Sequence, residues 1–452
     1  MHGEFAAGSP NPDVPLIHER LQRDGVEGVI LSYVDTVGIS RVKTIPLGRL
    51  EHATTWGVGM SPVFDTFLSD DSTIMTEHFG GPDGDLRLVP DAHEIHVLAG
   101  QPGWAWAPAD RFRQDCTPHP LCQRQYAARV ESAADAAGFE LRAAIEIEWA
   151  VGTEEDGEFV PACHGPAYGM TRMVELSDYT RDVLAALGQE GITVEQLHPE
   201  YSDGQFEVSV APAGLVTAAD HSILVRETIR AVSEQHGLRA SFSPAVIAGH
   251  VGNGGHIHLS VWSHDHNLLA EGEQRHGMTA AGESFLAGIL QELPGLVALG
   301  APSPASYLRL VPSHWAGAYA CWGHETREAA MRLVTGVTGN QDAAANLEVK
   351  CFDLAASPYL VLGAVASIGL AGIDREAELP PEVRGDPAAL GTVPRLPQSL
   401  AEATTALEQS DALRAALGDD LHEVAVAVRR AEDARFEGQS PEDIAAALRW
   451  VF

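Results

Sequence analysis

Glu146 and Glu148 stand two residues apart in Ile145-Glu146-Ile147-Glu148-Trp149. Apolar residues alternate with the acids, which is the period of a β-strand, so both carboxylates are expected on one face. Carboxylates held side by side raise each other's pKa unless a cation sits between them. Taken alone, such a pair fits a solvated strand face. The same spacing recurs, however. Gly254-Gly255-His256-Ile257-His258 carries two imidazoles after a glycine-rich turn, and Glu348-Val349-Lys350 places an acid beside a base. Glu200 and Glu207 add two carboxylates around a turn at Gly204. Five glutamates and a histidine at strand ends suit a hard or borderline dication such as Mg2+ or Mn2+. Zinc fits less well, because no paired thiolates accompany the imidazole.

The elements that must carry these residues alternate along the chain. Helical spacing over residues 16–24, strands over 28–34 and 40–45 about a turn, and short strands over 85–90 and 93–98 predict a small α+β domain. It spans residues 1–105 and ends in a linker at 101–108. A larger α/β domain, residues 106–452, comes next, with helices expected over 120–137, 177–187, 218–235, 399–417 and 419–437. Residues 380–397, rich in proline and charge, read as a surface excursion. Residues 354–373 are uncharged, but Ser357-Pro358 interrupts them, so a buried helix opened by Pro358 is expected in place of a membrane span.

A chain of 452 residues has ample material for two cores. Its 63 acidic against 29 basic residues give a net charge of -34, which disfavours nucleic acid and anionic membranes as partners. Any phosphate site must therefore gather the few arginines locally. Five cysteines without a C-x-x-C pair read as reduced thiols in a cytoplasmic protein. Residues 1–12 lack a basic stretch followed by an apolar run, so no signal peptide is expected.

Set in order, these segments resemble the glutamine synthetase superfamily over nearly the whole chain. The resemblance is carried by the stretch from Asp35 to Pro46, by Asp85-Leu86-Arg87-Leu88-Val89-Pro90-Asp91 and by the Glu-x-Glu strand. It continues through the Glu200–Glu207 segment, the Gly-Gly-His-x-His strand, the arginine segment from Leu308 to Arg332, and Glu348-Val349-Lys350. It implies an N-terminal β-grasp-like domain, a glutamine-synthetase-type catalytic α/β domain, and a homo-oligomer, a dodecamer of two stacked hexameric rings. It also implies ATP-driven phosphorylation of glutamate's γ-carboxylate, followed by attack of a nitrogen nucleophile. Glu148, Glu200 and Glu207 would hold one dication, and Glu146, His256 and Glu348 a second. Arg309 would grip the α-carboxylate, with Gly252, His256 and Lys350 beside the substrate. Arg327 and Arg332 would face the phosphates, and His258 and Ser260 the nucleotide.

The chain departs from the family's pattern where ammonia-using members carry a loop glutamate. Trp315 stands there, in Pro312-Ser313-His314-Trp315. An indole accepts no proton, yet it packs on carbon and its face attracts an organic cation. The chain therefore resembles the glutamate–amine ligase branch, with glutamate, ATP and a small organic amine as substrates. A shifted loop with Glu325 or another acid in that place is the competing reading. Asp65 matches an aspartate reaching the donor site from a neighbouring subunit, where it would bind the amine and take its proton; as a turn residue it needs no such role. Lys350, where many members have arginine, keeps charge but loses the bidentate fork. Ordinary glutamine synthetase, a silent homologue and, last, a metallohydrolase are the alternatives.

Overall fold

In the computed structural model, which describes residue 5 and residues 7–452, the N-terminal sheet is built around a parallel pair. β1 (Gly28–Val34) turns into the antiparallel β2 (Ser40–Pro46). The Asp35 carboxylate holds that turn by accepting from the N–H of Val37 and Ile39 at 3.1 and 2.9 Å. β3 (Val58–Met60), β4 (Leu86–Pro90), β5 (His96–Val97) and β6 (Trp104–Phe112) complete the order β2-β1-β6-β4-β3, with β5 on β6. The stretch 101–108, expected as a linker, is a turn followed by the first half of β6. Pro102 and Gly103 signal the turn only; the residues after them pair with β1 from Gly28 to Ser32. The expectation of no signal peptide in residues 1–12 falls partly outside the described residues.

The layers of the larger domain begin with a strand that changes sheets. β7 (Glu140–Ile145) and β8 (Ile147–Glu155) are consecutive, separated only by Glu146. β8 pairs with β9 (Glu158–Pro161) and lies in the order β10-β11-β8-β12, formed with β10 (Val194–Pro199), β11 (Gln205–Val210) and β12 (Arg239–Ser241). β7 pairs instead with β13 (Ile257–Ser263). With β14 (His266–Asn267), β15 (Tyr319–His324), β16 (Ala329–Val334) and β17 (Asn346–Val349), β13 forms the order β14-β13-β17-β16-β15. The single strand expected around Glu146 and Glu148 is thus two, hinged at Glu146, whose N–H donates to the His256 carbonyl at 2.9 Å. Ile147 and Trp149 are buried on the opposite face, as the alternation requires.

Helices Gln123–Ala136, Ser177–Gln189, Leu215–Gln235, Pro358–Asp374 and Asp419–Arg435 occur where the sequence predicts helices. The helix expected over 399–417 is broken at Ser410, whose hydroxyl accepts from Leu413 N–H and caps a second helix. Residues 380–397 are largely irregular, with one short helix, Pro387–Leu390. Helix Ala280–Gly300 has no counterpart in the sequence reading. It is buried on nearly every side and holds Pro294, so it shows no amphipathic period. It packs on Pro358–Asp374, where a Cβ at Gly288 would lie 2.8 Å from the Gly372 Cα. Among the described residues no helix is long and apolar enough to cross a membrane, and all five cysteines are free.

Candidate active site

The edges where the second and third sheets meet enclose a cavity of about 540 Å³. Glu146, Glu148, Glu200, Glu207, Gly252, His256, His258, Arg309, Trp315, Arg327, Arg332, Glu348 and Lys350 all line it. Two expected residues do not. Ser260 is buried and its hydroxyl accepts from Trp262 Nε1 at 2.8 Å. Asp65 has no exposed surface and forms an ion pair with Arg111 at 2.5 Å, inside its own N-terminal domain. In this conformation Asp65 presents nothing to a neighbouring copy.

The hinge at Glu146 brings the acids of one sheet against the imidazoles of the other. His256 Nδ1 lies 3.1 Å from Glu146 Oε2, and His258 Nε2 lies 3.2 Å from Glu146 Oε1. Arg309 Nη2 donates to His256 Nε2 at 3.0 Å. A guanidinium has no lone pair to offer, so Nε2 accepts and the proton of His256 sits on Nδ1, toward Glu146. Lys350 Nζ and Arg332 Nη1 flank Glu348 at 2.8 and 3.1 Å, and Arg332 Nη2 also binds Glu325 at 2.6 Å. Glu325, the competing acid, does not line this cavity.

Gly254 is a residue that sequence reasoning passed over. A Cβ there would lie 2.4 Å from His256 Nε2, 2.7 Å from Arg309 Nη2 and 2.9 Å from Glu148 Oε1. Only glycine lets these three groups converge. His198, Tyr168, Tyr201, Gln205 and His314 were likewise not assigned. His198 Nε2 lies 3.2 Å from Glu207 and its Nδ1 3.5 Å from Glu200. Gln205 Nε2 donates to Glu148 Oε2 at 3.2 Å. The Tyr168 hydroxyl donates to Glu200, and the Tyr201 ring stacks on Trp315. His198 and Glu200 share a strand end, which is a usable signal; loop residue Tyr168 carries none.

The charge balance is that of a site short of cations. Burial and the charge of Glu148 push the Glu200 carboxyl up to about 7. Burial raises Glu207 to about 8, with Glu146 and Glu148 adding to it against the pull of His198. The hydrogen bond to Glu207 holds His198 up at about 9. Burial works against charge on His258, but Glu146 overrides it, to about 9. Burial would raise Glu348, yet Lys350 and His258 bring it down to about 2.

Three overlapping groups have donor atoms within 4.8 Å of one another: Glu146, His258 and Glu348; Glu146, Glu207 and His256; His198, Glu200 and Glu207. These groups differ from the two triads implied by resemblance. Glu148 is in none of them, its Oε2 being occupied by the Gly254 N–H at 2.8 Å and by Gln205. The buried Nε2 of His258 lacks a directed hydrogen bond. Carboxylate oxygen with imidazole nitrogen, in excess of the local cations, is a donor set that fits a divalent ion.

The fold and this cavity define a protein with a carboxylate- and imidazole-rich candidate metal site at the junction of two sheets, and comparison specifies its family. Residues 120–445 match the family model of the glutamine synthetase catalytic domain. The chain is 56% identical over 442 residues to the gamma-glutamylpolyamine synthetase of Streptomyces coelicolor, covering 96% of this chain and 95% of that protein. A solved structure described as a novel glutamine synthase homolog superimposes with a TM-score of 0.86 at 32% identity, over 94% of this chain and 99% of that one. The ADP complex of GmaS superimposes with a TM-score of 0.83 at 26% identity, over 94% and 97%. The chain belongs to the glutamine synthetase family.

Proposed function

We propose that this protein is an ATP-dependent ligase that joins the γ-carboxylate of glutamate to a primary amine of a polyamine. ATP phosphorylates the carboxylate, the amine displaces phosphate from the acyl phosphate, and a γ-glutamylamide, ADP and phosphate result. The observation that carries this reading is the wall beside Glu200. Trp315 and Tyr201 stack at 4.3 Å, Tyr168 stands edge-on to Tyr201 at 5.6 Å, and the Tyr168 hydroxyl donates to the Glu200 carboxylate. Aromatic faces beside a carboxylate attract an alkylammonium, whose methylenes also pack on the rings. Ammonium has no carbon to use that wall. The relative with 56% identity is named for a polyamine substrate.

The remaining residues divide the work. Arg309, whose Nη1 is buried without a partner, is positioned to take the α-carboxylate of glutamate, beside Gly252 and His256. Arg327 and Arg332 oppose the transferring phosphoryl group, and His258 lies on the nucleotide side. Lys350, held on Glu348, supplies a point charge beside the γ-carboxylate. The acid and imidazole groups would hold Mg2+ or Mn2+, and such ions, when bound, neutralise the charge that builds on phosphoryl oxygens. A homo-oligomer, a dodecamer of two stacked hexameric rings, belongs to the same proposal; light scattering tests it.

The deciding experiment measures phosphate release with ATP, glutamate and Mg2+ or Mn2+ across ammonia, alkyl monoamines, ethanolamine, diamines and longer polyamines. The highest kcat/KM is expected with a polyamine. Faster turnover of ammonia than of every amine overturns the proposal.

A further inference from the structure

The amine that enters this site is an ammonium ion at neutral pH, and its nitrogen has no lone pair until a proton leaves. Trp315 cannot take that proton. Most candidates in the cavity are already engaged. Glu146 is paired with His256 and His258, and Glu348 with Lys350 and Arg332. Glu148 accepts from Gly254 and Gln205. His198 bridges Glu200 and Glu207, while the lone pair of His256 is taken by Arg309. Asp65 is closed off with Arg111.

One imidazole is left. His314 lines the cavity, immediately before Trp315 in the chain. Among the described residues, neither of its ring nitrogens makes a hydrogen bond or ion pair, and Nδ1 is buried as well as unpartnered. The loop bends sharply on both sides of it. Ser313 and Trp315 have φ of 63° and 53°, left-handed values that side chains other than glycine rarely adopt. The Trp315 N–H donates to Glu328 Oε1 at 3.1 Å, and its ring rests on Tyr201, so the bend is tied in two places.

Resting on the ligase reading above, we infer that His314 is the catalytic base that deprotonates the incoming alkylammonium. The ammonium N–H bond breaks, its proton goes to a ring nitrogen of His314, and the freed electron pair forms the C–N bond to the acyl phosphate carbon. The C–O bond to phosphate then breaks with its electron pair. The departing phosphate takes the second proton that the nitrogen must shed to become an amide. Imidazole is the side chain suited to accept a proton near neutral pH.

Hydroxylamine tests this, because it is uncharged near neutral pH and needs no base before it attacks. His314→Gln and His314→Ala are expected to lower kcat with putrescine or spermidine by roughly 10²- to 10⁴-fold, while hydroxamate formation from hydroxylamine stays within about threefold of wild type. Melting temperatures close to wild type show that the loop change leaves the fold intact. An equal loss with both nucleophiles, or no loss with either, overturns the assignment of His314 alone. Wild-type protein that forms the hydroxamate yet uses no polyamine overturns the substrate reading, and His314 as its base with it.

Discussion

The indole of Trp315 lies nearly parallel to the ring of Tyr201, with centroids 4.3 Å apart and planes inclined by 17°. Neither ring is deeply buried, since Trp315 is 38% exposed and Tyr201 37%. The pair therefore forms a surface that a substrate can meet, and its loss removes binding more than folding. Trp315→Ala is expected to lower kcat/KM for polyamines about tenfold, equivalent to about 1.4 kcal/mol, within the range of a cation–π contact. Turnover of ammonia, if any, should not fall. Steady-state kinetics with both nucleophiles decide it, and an equal drop for each refutes the role of the indole.

Gly254 governs whether three site groups can coexist. Gly254→Ala places a methyl within 3 Å of His256, Arg309 and Glu148. The expected result is a loss of glutamate-dependent ADP release of about 10²-fold or more, because a shift near 1 Å at reacting groups has that effect. The melting temperature should change little, since the atoms that must move are side-chain ends. Retention of full activity would show that the convergence is not needed.

Asp65 offers a separation of stability from catalysis. Replacing it by alanine leaves the buried Arg111 guanidinium without its counter-charge, which costs about 3–5 kcal/mol. Asp71→Ala, which removes the exposed partner of Arg41, should cost less than about 0.5 kcal/mol. Urea unfolding of both variants compares them. A stable Asp65→Ala variant that has lost only amine turnover would return Asp65 to the donor site.

Metal and pH should act on stability in opposite directions. Glu200 and Glu207 have pKa values of about 7 and about 8 in the metal-free fold, raised above the ordinary glutamate value of about 4.3 that applies to the unfolded chain. A carboxyl raised on folding contributes its stability fully below the unfolded value and loses it as pH rises through the folded value. Metal-free protein should therefore melt at a lower temperature at about pH 9 than at about pH 6. A dication takes the place of those protons, so its stabilisation should grow over the same interval. Thermal melts after chelation and after addition of Mn2+ or Mg2+ read both trends. A metal effect largest at the acid end contradicts the clustering of Glu200 and Glu207 around a cation.

Much of this molecule was legible in one dimension. Alternation exposed the carriers of Glu146, Glu148, His256, His258 and Glu348, because a side chain's face on a strand is set by residue parity alone. The order of those segments pointed to the family that the comparisons establish. Helix Ala280–Gly300 was not legible, since burial on all sides removes the contrast that periodicity needs. The strand after Pro102-Gly103 was not either, because turn residues announce a break and carry no signal for the pairing of the next segment.

Residue type and spacing, then, determined which chemistry this chain can perform: acids and imidazoles for a dication, arginines for phosphate, an indole where an acid would serve ammonia. Tertiary structure decided which groups meet. Only the folded chain showed that Glu146 is a hinge between sheets, that Asp65 is spent on Arg111, that Tyr201 backs Trp315, and that His314 is left without a partner. The reason is physical. Faces on one strand are set by local geometry, whereas pairing across 50 or more residues is set by how the sheets pack, which no local pattern encodes.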